Sequence, residues 1–272
     1  MRKTSPVNSP FLLAGWLAVQ LVMAGPAHAS FISLECQSDF DVRDDVLAGA
    51  LVIGNDGDEA AHNLQASVTG AGFSWSSPVR ASLEPRGRYR VELRQKLGRP
   101  RPGRYPVLVK IAYTDANRYP FTALSATLYS IGEAQPPGIW AIMDKTRIRR
   151  EGDLAIRLKN IDDGEKSLQA RLLLPNELSS TPLSAAETLR ANEEASLKFK
   201  VSNFSALPGS SYPIYAVIEY DDARGHQALL AQSSVEVLAA TASRSARAAL
   251  IAAAALLAAA LVFWNVRAIR RK

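Results

Sequence analysis

The 272-residue sequence predicts an all-β body of two β-sandwiches in tandem, followed by one C-terminal transmembrane helix. Three observations lead there. Apolar residues alternate with polar ones at period two in many segments, the pattern of strands half buried against a core. A set of strand and turn motifs occurs twice at a near-constant offset. Residues 248–266 form an uncharged, largely apolar run flanked by basic residues, long enough for one membrane crossing.

The ends fix the expected topology. Arg2 and Lys3 precede an apolar run from Phe11 to Ala24 and then Ala27-His28-Ala29; a basic start, a short apolar core and a small-x-small site make a signal peptide. Residues 1–29 are therefore expected to be removed, leaving Ser30 as the first residue. Insertion of the run 248–266 rests on Leu250, Ile251, Leu256, Leu257, Leu261, Val262, Phe263 and Val266, each contributing about −0.3 to −0.6 kcal/mol. Arg244 and Arg247 precede the run, whereas Arg267, Arg270, Arg271 and Lys272 follow it. Basic residues stay on the cytoplasmic side. Tail 267–272 is thus expected inside a bacterial inner membrane, with the body periplasmic and 241–247 a short stalk. No Pro-Glu-Pro, Gly-Gly or LPxTG-type motif precedes Ala248, so a permanent anchor is expected rather than a processed sorting tail.

The formal net charge of +6 does not argue for nucleic acid. Residues 30–243 hold 24 Lys and Arg against 26 Asp and Glu, so the basicity belongs to the membrane-flanking ends. Membrane and an envelope protein or acidic polysaccharide are the expected partners. The single cysteine, Cys36, excludes an intramolecular disulfide and reads as a small strand residue. Stability must then come from hydrophobic cores, and the body is long enough for two.

Along the body, Gly132-Glu133-Ala134-Gln135-Pro136-Pro137-Gly138 reads as a linker, because prolines flanked by glycines join neither a sheet interior nor a helix. It separates residues 30–131 from 139–240. The halves repeat: Leu64-Gln65-Ala66, Pro102-Gly103 with Tyr105-Pro106, and Tyr113 are answered by Leu168-Gln169-Ala170, Pro208-Gly209 with Tyr212-Pro213, and Tyr220, at offsets drifting from 104 to 107. Tyr89, Val91 and Leu93 alternate with charged residues in the first half; Leu154, Ile156 and Leu158, then Leu197, Phe199 and Val201, do so in the second. Tyr105–Tyr113 and Tyr212–Tyr220 are more continuously apolar, as central strands are. Asn55-Asp56-Gly57, Asp162-Asp163-Gly164 and Ala223-Arg224-Gly225 supply turns.

A strand ending in Asn55-Asp56-Gly57, the run Leu83-Glu84-Pro85-Arg86-Gly87, and Pro102-Gly103-x-Tyr105-Pro106-Val107-x-Val109-x-Ile111-x-Tyr113-x-Asp115 together resemble the immunoglobulin-like modules of bacterial surface and periplasmic proteins known as the NEW3 and CARDB types. The second half departs from this pattern, with Leu189-Arg190-Ala191-Asn192-Glu193 in place of the Pro-Gly turn. The resemblance implies two tandem immunoglobulin-like sandwiches serving as adhesive, spacer or carbohydrate-associated accessories, an architecture more than an activity.

Residues that could carry chemistry are sparse. His62 and His226 stand in no metal-type spacing and read as loop residues; no Gly-x-Ser-x-Gly elbow, phosphate loop or zinc-helix motif occurs. The chain is expected not to be an enzyme, and no cofactor or metal is expected. The acidic groups Asp56-Asp58-Glu59, Asp162-Asp163-Glu165 and Asp221-Asp222 lack calcium-loop spacing and read as turn formers. Trp75 and Trp140 are expected in the cores, with sugar stacking the alternative. The unusual feature is Arg80–Arg104, where nine basic residues face only Glu84 and Glu92. Arginine predominates, which suits planar, bidentate recognition of carboxylate or phosphate. Arg86, Arg88, Arg90, Arg94, Arg99, Arg101 and Arg104 are the candidate patch for an anionic partner; a solvated hairpin is the alternative. The expected function is a membrane-anchored binding or scaffold protein presenting its sandwiches to an envelope partner. The competing expectation is an accessory subunit or enzyme of envelope polysaccharide or surface-protein processing.

Overall fold

The computed structural model describes residues 31–239 except 99 and 134, together with Ala252, Ala260, Phe263, Trp264, Arg267 and Arg270. The signal peptide expected over 1–29 lies outside the described residues, as does most of 240–272. Ala252, Ala260, Phe263, Trp264 and Arg267 are helical, and among the described residues no helix is long and apolar enough to cross a membrane.

The rest is β-structure. The first half contains β1 (Leu34–Arg43), β2 (Val46–Asn55), β3 (Ala61–Gly70), β4 (Phe73–Ser76), β5 (Arg80–Leu83), β6 (Arg88–Lys96), β7 (Gly103–Thr114) and β8 (Pro120–Ile131). The second contains β9 (Ile139–Met143), β10 (Thr146–Ile148), β11 (Glu151–Asn160), β12 (Lys166–Leu173), β13 (Leu178–Thr181), β14 (Ser184–Leu189), β15 (Glu194–Asn203), β16 (Ser211–Asp222) and β17 (Gly225–Val237). In the first half the sheet β1-β2-β6 packs on a sheet in which β7 pairs with β3 and β8, and β3 with β4 and β5. In the second, β13-β15-β11-β9 packs on β14-β12-β16-β17.

Alternation along each strand builds the two cores. Leu154, Ile156 and Leu158 of β11 are at most 1% exposed, while Asp153 and Arg157 face water. Phe199, Val201, Ile214 and Ile218 join them in one cluster; Leu51, Ile53, Val91, Leu93, Val107, Val109 and Ile111 form the other. Each such side chain contributes about 1.5–3 kcal/mol by leaving water. The same periodicity turns Trp140 outward: Ile139 and Met143 fill the core, so Trp140 stands half exposed rather than buried as expected. Trp75 is partly buried against the first core.

Both halves are pinned by an equivalent buried asparagine. Asn55 donates through Nδ2 to Glu59 O at 2.7 Å and Leu83 O at 3.1 Å, and its Oδ1 accepts from Gly57 N at 3.0 Å. Asn160 donates to Gly164 O at 2.7 Å, Leu189 O at 3.2 Å and Arg190 O at 2.9 Å, and accepts from Asp162 N at 3.1 Å. Neither side chain is exposed. Each closes the turn after its strand and ties it to the turn preceding β6 or β15, so the turn asparagine, in Asn55-Asp56-Gly57 and in Asn160-Ile161-Asp162 alike, is a cross-sheet anchor as well as a turn former.

The β7 and β17 sheets join into one ten-stranded sheet through a parallel bridge between Gly103 and His226. A Cβ on Gly103 (φ 147°) would strike the His226 carbonyl, and one on Gly225 (φ 126°) the Pro102 carbonyl. Only glycine permits this approach of backbones.

Candidate functional site

β6 is where local sequence and unusual charge coincide. Its inner residues Val91 and Leu93 are 7% and 1% exposed. Period two therefore sends Arg88, Arg90, Glu92, Arg94 and Lys96 to the outer face, where all are exposed. The neighbouring strand contributes no charge to that face. Gly54, Val52, Ala50, Ala48 and Val46 lie opposite those five residues in order. Beyond them β1 presents Glu35, Gln37, Asp39, Asp41 and Arg43, in register with Gly54, Val52, Ala50, Ala48 and Val46. Arg43 Nε donates to Asp41 Oδ2 at 2.8 Å, so the lane is acidic from Glu35 to Asp39 and paired at its end. The outer face is thus sorted into an acidic lane, a small uncharged lane and a basic lane, with the outer two about 10 Å apart. A groove of about 460 Å³ runs between them, floored by Ala48, Ala50 and Val52 and walled by Asp39, Asp41 and Arg90.

Few of these cations are neutralised. Arg88 Nη1 lies 2.9 Å from Asp56 Oδ1, in the space left by Gly54, and Arg90 lies 3.7 Å from Glu92 within its own strand. Arg86, Arg94 and Lys96 make no salt bridge among the described residues. Arg80 of β5, in the opposite sheet, sets its guanidinium 5.6 Å from the ring centre of Tyr89, on the core-facing side of β6. The seven arginines singled out from sequence do not form one cluster. Arg86 sits at φ 62° in the turn before β6, and Arg88, Arg90 and Arg94 line the strand. Arg101 and Arg104 belong to the β6–β7 connection and the start of β7, near the second half, where Arg101 lies 3.9 Å from Asp221. Arg99 lies outside the described residues.

The second half uses the same face differently. On β11 and β15, Glu151 pairs with Lys200 at 2.8 Å and Lys159 with Glu194 at 2.8 Å, while Arg157 pairs with Asp144 at 2.9 Å. Charges there are matched across strands. The edges differ too. β13 pairs with the outer edge of β15, Leu178 to Thr181 against Asn203 to Lys200. β4 occupies the matching place in the first repeat but pairs with β3. Among the described residues β6 therefore has one sheet neighbour, β2, and no strand on its outer edge.

The other residues raised by the sequence are structural. Asp162 and Asp222 face Lys166, each at 3.0 Å, and Arg224 at 2.5 and 2.8 Å. Burial works against the Asp222 carboxylate, but hydrogen bonds from Arg224 and Lys166 prevail and lower its pKa to about 2. His226 is not a loop residue: it stacks on Tyr105 with ring centres 4.5 Å apart, its Nδ1 3.1 Å from Asp221. Cys36 faces the first core, and burial pushes its thiol up to about 11, keeping it protonated and poorly nucleophilic. The acidic lane escaped the sequence reading, although the alternation of Glu35, Asp39 and Asp41 with Leu34, Cys36, Phe40 and Val42 signals it. Glu177 also escaped. It is 2% exposed and accepts from Thr122 N at 2.8 Å across the two halves, and burial raises its pKa.

No family model and no curated protein matches the chain. Among solved structures, the native α2-macroglobulin of Escherichia coli aligns with 76% of this chain and 17% of its own, at 12% identity and TM-score 0.30. The Y1175G mutant of Salmonella α2-macroglobulin aligns with 76% and 16%, at 11% identity and TM-score 0.31. A PapD-like domain of human CEP192 aligns with 40% of this chain and 93% of its own, at 12% identity and TM-score 0.27. The chain spans about a sixth of those macroglobulins, and none of these likenesses assigns it a family.

Proposed function

We propose that this chain is a non-enzymatic binding or scaffold protein, tethered by its C-terminal segment at a bacterial inner membrane. Its periplasmic immunoglobulin-like sandwiches, of the kind seen in bacterial envelope modules, hold an anionic partner on the first half. The observation that carries this reading is the row Arg88, Arg90, Arg94 and Lys96 on β6, set beside a strand that offers them no counter-charge. Arg94 and Lys96 have no ion-pair partner among the described residues and Arg90 only a loose one within its strand, so they can make contacts to carboxylate or phosphate, while Arg88 must share its charge with Asp56. The acidic lane on β1 limits what can dock. A broad anionic surface, such as a lipid bilayer, would meet Glu35 and Asp39, which make no salt bridge among the described residues, about 10 Å from the arginines and be repelled there, Asp41 being paired with Arg43. A narrow anionic chain lying along β6 meets only the basic lane.

The test is binding of the full chain in detergent to polyglutamate and polygalacturonate at about 50 and 150 mM salt. Binding should weaken at the higher salt and be lost in the R88E/R90E/R94E variant, while K198E/K200E on β15 leaves it unchanged. Absence of binding, or loss in both variants alike, contradicts the reading. The tether is tested separately: protease added to spheroplasts should digest the body and spare a tag placed after Lys272.

A further inference from the structure

The anionic partner can be specified further, an inference that rests on the anion-docking reading above. We infer that β6 accepts an added strand: an extended polypeptide segment with acidic residues at alternate positions, supplied by another protein. The reason lies in the comparison of the two edges. In the second half, β13 hydrogen-bonds to the outer edge of β15 over Leu178–Thr181. At the matching position of the first half, β4 stays on β3, and no other strand among the described residues pairs with the edge of β6. An unpaired edge displays N–H and C=O groups that a further strand can satisfy. Its outer side chains then decide which strand is admitted.

Those side chains select against self-association. A second β6 laid antiparallel would set arginine and lysine against arginine, which is unfavourable for directly opposed residues. The edge of β1 is covered at Cys36, whose carbonyl accepts from Ser125 Oγ at 3.1 Å, and β8 packs along it. A foreign strand with Glu or Asp on its outward face would place carboxylates opposite Arg88, Arg90 and Arg94, each cross-strand ion pair adding to the ladder. Glu92 sits opposite the middle of such a strand, so the best ligand is uncharged or basic at that one position.

The probe is a synthetic peptide of about nine residues, the length of β6, alternating glutamate with valine but carrying glutamine at the central position that faces Glu92; its control carries the same side chains with every backbone amide methylated, which removes the ladder but not the charge. With the full chain in detergent, the first peptide should bind at least about tenfold tighter than the control. It should slow amide hydrogen exchange across Arg88–Lys96 and not across Glu194–Asn203, and R94E should weaken it about tenfold. Equal binding of both peptides, or no protection of β6, would overturn strand addition while leaving anion docking intact. Binding of polygalacturonate with neither peptide bound would assign the face to a polysaccharide and also overturn it. Binding of no polyanion at all would remove both readings together.

Discussion

The two halves are built on one frame and finished differently. Asn55 and Asn160 tie equivalent turns, and Arg86 and Asn192 occupy equivalent left-handed positions at φ 62° and 59°. The differences lie where the frame is indifferent. At the strand that begins with Ala61 in the first half, the second begins with Lys166, buried among Asp162 and Asp222. Where β11 offers Glu151, Lys159 and Arg157 to its neighbours, β2 offers glycine, alanine and valine. A sandwich core tolerates either choice, since these positions lie outside it. The lesson is that two halves sharing one frame keep the same stabilising positions and differ at the outward ones, where the second half pairs its charges and the first leaves Arg86, Arg94 and Lys96 without a salt bridge among the described residues.

The largest way to break the comparison is Lys166→Ala. It leaves Asp222 buried with only Arg224 as partner and should cost the second half about 3 kcal/mol, read as a lower denaturation midpoint with the first half unaffected. Asn55→Ala and Asn160→Ala should each cost about 2–3 kcal/mol in their own halves, because buried carbonyls lose their donors; markedly unequal costs would show that the two anchors are not equivalent. Acid sharpens the contrast. Asp222 has its carboxyl lowered from 3.8 to about 2, so its contribution is present above pH 3.8 and disappears as pH falls through about 2. The second half should lose about 2 kcal/mol across that window, seen as an acid-shifted transition in circular dichroism that Asp222→Asn abolishes. Smaller still, Gly103→Ala should loosen the seam between halves by about 1–2 kcal/mol, and small-angle scattering should report a larger radius of gyration with both sandwiches intact.

Much of this was legible in the chain because the signals are local. The alternation of Leu154, Ile156 and Leu158, the Asn-x-Gly turn and the offset between repeated motifs each involve residues within a few positions of one another or a simple comparison of two segments. The outward row Arg88, Arg90 and Arg94 follows from period two alone. What was not legible depends on which strand lies beside which. Nothing near Arg90 announces that its neighbours across the sheet are Val52 and then Gln37. Nor does the sequence of Phe73–Ser76 say that it pairs with β3 when Leu178–Thr181 pairs with β15. The stacking of His226 on Tyr105 likewise depends on a seam between segments more than 100 residues apart, where a histidine beside Gly225 reads as part of a turn.

The central claim is that the arginines of β6 are available because β2 provides no counter-charges, and it can be tested without touching an arginine. Ala48 lies opposite Arg94 and Val52 opposite Arg90, both on the outer face. The double variant A48E/V52E gives the first half the cross-strand pairing that the second half already has. Binding of polyglutamate at low salt by this variant and by the unaltered chain is the deciding measurement. Loss of binding comparable to that of R88E/R90E/R94E, with the fold unchanged, is the outcome expected here; undiminished binding would contradict it.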